Sequence, residues 1–95
     1  MGSKKKFRIT VSPINHKGDT STVFTFTPHL AKGYDYPNCV WELGDGNALV
    51  QQNLNPVSHT FTKAGIYKVV CTCDYFATNS SQDFYDQDST IVHVE

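Results

Sequence analysis

Residues 41–46 read Trp-Glu-Leu-Gly-Asp-Gly, and this stretch restricts the fold more than any other. The tryptophan needs a large apolar interior. The two glycines supply backbone freedom that a residue with a Cβ lacks. A strand that buries an aromatic and then turns tightly meets both needs. Cys39, Trp41 and Leu43 are expected to face inward, with Val40 and Glu42 outward. Farther on, His59-Thr60-Phe61-Thr62-Lys63-Ala64-Gly65-Ile66-Tyr67-Lys68-Val69 alternates, bends at Gly65 and alternates again. Val57, His59 and Phe61 form one inward set. Tyr67, Val69, Cys71 and Cys73 form the next. Burying Trp41 removes well over ~100 Å² of apolar surface, so its ring should dominate the core. Asp45 reads as a turn former whose carboxylate bonds nearby backbone N–H groups. The other reading, a catalytic or metal-binding acid, lacks a visible partner for acid–base work.

These two segments resemble the signatures of PKD domains, W-D-F-G-D-G and roughly V-x-H-x-Y-x-x-x-G-x-Y-x-V. They occur in the same order and at suitable spacing, and cover about the middle third of the chain. Glu42, Leu43 and Phe61 replace Asp, Phe and Tyr, and Ala64 stands where Pro is frequent; polarity class or bulk is kept. The resemblance implies an immunoglobulin-like, two-sheet antiparallel β-sandwich of about seven strands. It also implies a mostly non-catalytic role as a spacer, adhesion module or accessory domain on extracellular proteins. In such a sandwich Trp41 takes the core position, and Tyr67 takes the tyrosine corner, where a hydroxyl returns to the backbone. His59 reads as a satisfied near-core histidine. Gly44, Asp45, Gly46 and Gly65 shape the turns.

Composition agrees with an all-β globular body. Of 95 residues, 39% are apolar and 13% aromatic, with no helix-length 3.6-residue period. Residues 1–5 read as a basic arm, either a solvated tail or a segment that docks on an acidic partner. Residues 6–95 form one domain. A net charge of −1 speaks against a nucleic-acid binder. No apolar run is long enough to insert in a membrane. Lys4-Lys5-Lys6 is followed by alternation interrupted at Arg8, so no secretion signal is expected.

Phe7, Ile9 and Val11 mark the first strand, closed by Pro13, and 15–19 has turn chemistry. Thr22, Phe24 and Phe26 mark the second, closed by Pro28. Residues 29–38 are expected to form a long loop, and residues 74–89 the longest irregular stretch. Thr90, Val92 and Val94 form the last strand.

Candidate chemistry is sparse. Cys39 faces Cys71 or Cys73 on a neighbouring strand, so a within-sheet disulfide or buried reduced thiols both fit. Cys-Thr-Cys is not a zinc-ligand spacing. Asp83, Asp86 and Asp88, with Asp74 and Asn79, offer oxygens for calcium but match no known loop pattern; a solvated acidic loop is the alternative. The histidines lack metal-ligand spacing. No nucleophile motif and no phosphate-binding loop occurs, so neither catalysis nor a cofactor is expected.

The two presumed loops project from one end of such a sandwich. They hold Tyr34, Tyr36, Tyr75, Phe76, Phe84 and Tyr85, six of the eleven Tyr and Phe residues. Two readings follow: a contact surface, or a mini-core that covers its own loops. The expected role is structural: a small decoration protein attached to the capsid or tail proteins of a phage virion, made in the host cytoplasm. The alternative is an extracellular module from a larger protein, which contacts cell-surface carbohydrate or protein.

Overall fold

The computed structural model describes residues 6–95; the basic arm expected over 1–5 lies outside the described residues. The described chain contains eight strands and no helix: β1 (Phe7–Ser12), β2 (Lys17–Gly18), β3 (Phe24–Leu30), β4 (Tyr34–Glu42), β5 (Ala48–Gln51), β6 (Val57–His59), β7 (Gly65–Ala77) and β8 (Asp83–Val94). They form two sheets. One has the order β1-β3-β6 and the other β2-β8-β7-β4-β5. All pairings are antiparallel except that of β2 with β8, which is parallel and only two residues long. This short strand lies in the expected 15–19 turn and accounts for eight strands against about seven.

The core forms where inward side chains of the two sheets meet. Phe7, Phe24, Phe26, Cys39, Trp41, Phe61, Val69, Cys71, Cys73, Tyr75 and Val92 have no exposed surface. Phe26 from the smaller sheet lies 6.2 Å from Trp41 of the larger. Phe61 sits edge-on to Phe24 at 5.7 Å and stacks on Tyr67 at 4.3 Å. Each such ring contributes about 1.5–3 kcal/mol on leaving water.

The expected long loops are strands instead. Pro28 does not close β3. It pairs with Ile9, beyond the short stretch 24–26 that also pairs with β6. A stretch with a neighbour on one side only tolerates the missing proline N–H. The chain then turns within 31–33, and β4 starts at Tyr34. Residues 74–89 are likewise mostly sheet: β7 continues to Ala77, β8 starts at Asp83, and only 78–82 form the connection. The two turns do share one end, since Thr78 donates its backbone N–H to Gly33 O at 2.9 Å. That end of the β4-β7-β8 sheet is called distal below.

Candidate functional site

The Gly-Asp-Gly turn is a structural clasp. Gly44 and Gly46 have φ of +86° and +94°, angles that favour glycine. A Cβ on Gly44 would lie 2.6 Å from Lys68 O, whereas one on Gly46 would meet nothing within 4 Å. Between them, Asp45 Oδ1 accepts the Asn47 backbone N–H at 3.1 Å. Asp45 Oδ2 takes Asn47 Nδ2 at 3.1 Å and His59 Nε2 at 2.7 Å. Asp45 therefore has the partner that the linear sequence hid. Partial burial works against its charge, but the bonds from His59 and Asn47 outweigh this and hold its carboxyl below the usual range. His59 lies edge-on to Phe61 at 4.7 Å. The clasp thus ties the turn after β4 to β6 in the opposite sheet. At the next crossing, Tyr67 donates its hydroxyl to Lys63 O at 2.6 Å, and Gly65 lies against the ring of Tyr67.

The thiols are packed and unbridged. Cys39 and Cys73 are direct cross-strand partners with sulfurs 3.5 Å apart, and Cys71 is opposite Trp41. Hydrogen bonding with Cys39, then burial, pushes the Cys71 and Cys73 thiols up. Among the described residues no group of three His, Cys, Asp or Glu side chains converges as a metal site requires. Asp86 and Asp88 are half-buried on the inward face of β8, while Asp83 is exposed on the other. Asp86 accepts the Tyr75 hydroxyl. Asp88 Oδ2 accepts the Ile9 backbone N–H at 2.8 Å.

Strand alternation also divides five of the six distal aromatics, and the bulge in β4 exposes the sixth, Tyr36. Tyr34, Tyr75 and Phe84 point inward. Tyr34 meets the other two rings edge-on at 5.5 and 5.3 Å, and Tyr75 stacks on Phe84 at 5.6 Å. The Lys6 ammonium covers this cluster, 5.9 Å from the Tyr34 ring centre and 5.8 Å from that of Phe84. Burial, then the bond to Asp86, raises the pKa of the Tyr75 hydroxyl. Phe76 and Tyr85 instead lie on the outer side of the sheet, 38% and 71% exposed, and Tyr36 is 69% exposed. Tyr36 has φ +62° and occupies a bulge between Asp35 and Asn38. Pro37 follows it, and without an N–H it interrupts the ladder there. Tyr36, Pro37, Asn38 and Gln52 line a shallow cleft of about 300 Å³. A second, of about 260 Å³, lies between β1 and β8 against Ile9, Val11, Ile14 and His16.

Compared with known families, residues 9–90 match the PKD domain. The chain belongs to the PKD domain family. No curated protein and no solved structure matched it. PKD domains are a non-catalytic, immunoglobulin-like family of interaction modules, typically extracellular.

In this PKD domain the Asp45–His59 bond joins the two signatures themselves. Sequence reasoning placed both residues and missed the contact, because fourteen positions separate them and the turn must form first. The inward roles of Asp86 and Asp88 were also missed. Their alternation with Phe84, Thr90 and Val92 was the available signal, masked by the polarity of the intervening residues.

Proposed function

We propose that this PKD domain is a non-enzymatic structural protein that decorates a larger protein assembly, with the distal outer sheet face as its contact surface. The observation that carries this reading is the exposure of Phe76 and Tyr85 on the outer face of β7 and β8, with Tyr36 exposed in the β4 bulge beside them. Their three neighbours have already filled the mini-core, so packing within the domain does not account for the exposed rings. Large rings held on a rigid scaffold provide contact area with little ordering entropy lost on binding.

The assembly we favour is a virion, at its capsid or tail. Three buried thiols without a bridge suit a chain folded in a reducing cytoplasm. A second reading, an extracellular module that contacts polysaccharide, is favoured by the cleft at Tyr36, where a ring lies beside the amides of Asn38 and Gln52.

The experiment is density-gradient separation of intact particles from free protein in the native source, with the triple variant Tyr36→Ser, Phe76→Ser, Tyr85→Ser compared with the parent. The parent should co-sediment with particles and the variant should not, with melting temperatures alike. Recovery of the parent only as part of a heavier soluble polypeptide would sink the virion reading. Attachment of the triple variant at parental levels would remove the contact face.

A further inference from the structure

The distal outer face is as acidic as it is aromatic. Cross-strand register sets Asp35, Phe76 and Asp83 side by side in one row, and Asn38, Asp74 and Tyr85 in the next. Adjacent strands are about 4.8 Å apart, so these residues form one continuous patch. Tyr36 stands in the bulge at its side. Neither row contains a Lys or Arg; the outward Lys68 of β7 lies toward the opposite end. The nearby Lys6 is on the inner side, over Tyr34 and Phe84.

Two further details concern Asp74. The carboxyl of Asp83 beside it holds its pKa above the ordinary carboxylate range, with desolvation adding to the effect. Its Oδ1 is shielded from solvent and has no hydrogen-bond partner. A second carboxylate at close range is relieved by an incoming cation.

We propose that this face docks a lysine- or arginine-bearing segment of a partner protein. The inference rests on the reading of the distal face as a contact surface and adds the chemistry of what it meets. Cationic heads pair with Asp74, Asp83 and Asp35, while their stems or guanidinium planes lie on Phe76, Tyr85 and Tyr36. The inner side of the same end shows this chemistry within the chain, where Lys6 lies over two rings. Charge complementarity favours a basic segment over a neutral polysaccharide, which would leave the carboxylates without a counter-charge.

The test is titration of the isotope-labelled full chain with decalysine, and separately with cellohexaose, followed by amide chemical shifts. Decalysine should shift amides of the distal parts of β4, β7 and β8. The pair Asp74→Asn with Asp83→Asn should weaken binding about fivefold or more, and Glu42→Gln should leave it unchanged. Shifts scattered over the molecule, no binding, or equal weakening by Glu42→Gln would overturn the proposal. Cellohexaose shifting the same amides while decalysine does not would overturn the basic partner and leave the contact face standing. Attachment of the Tyr36, Phe76, Tyr85 triple serine variant to particles would remove the face itself.

Discussion

Gly44 and Gly46 look alike in the sequence and differ in what surrounds them. Both hold positive φ, but only Gly44 has backbone where a side chain would go. Gly46→Ala should therefore cost about 1–2 kcal/mol, the strain of a left-handed alanine. Gly44→Ala should cost clearly more, because Lys68 O must also move. Thermal unfolding of the two variants gives the comparison, and equal melting temperatures would contradict it. Asp45 gives a pH-dependent prediction. Its folded pKa lies below its unfolded value, so its contribution is present above about pH 4 and is lost as pH falls through the folded pKa. Asp45→Asn should flatten that acid-side slope in denaturant titrations, with a loss at neutral pH of about 1 kcal/mol, modest because the pair is partly solvated. The turn-forming role of Asp45 was legible from its glycine neighbours. The histidine across the sandwich was not, since nothing local specifies it.

At the scale of elements, the β7–β8 hairpin is the main departure from expectation. Asp, Asn, Ser and Gln between 74 and 89 resemble loop composition, yet the strands run through almost all of it. Strand formation there depends on inward polar groups finding partners: Asp86 on the Tyr75 hydroxyl and Asp88 on the Ile9 N–H. The second contact also ties β8 to β1, in the other sheet. Asp88→Ala should leave the Ile9 donor unpaired and cost about 1–3 kcal/mol. Asp88→Asn keeps an acceptor and should cost less. Equal melting temperatures for the two variants would show that this bond does not hold β1. Pro28 does not end its strand, since a sheet accepts proline where a strand has one neighbour.

At the scale of the molecule, the two sheets enclose three thiols and leave one outer face bearing exposed rings and carboxylates. With Cys39, Cys71 and Cys73 fully buried, the native protein should resist thiol-specific reagents. In denaturant it should react at all three. Rapid labelling before unfolding would show that the core opens; fewer than three reactive thiols after unfolding would show a disulfide. The linear order of residues determined the all-β class, the inward set around Trp41, and the two signatures, because alternation and glycine-bearing turns act over a few positions. Tertiary structure decided which aromatics are covered, which carboxylates have donors, and where the strands end. Those outcomes depend on register between strands distant in sequence, where moving by one residue exchanges the buried face for the exposed one.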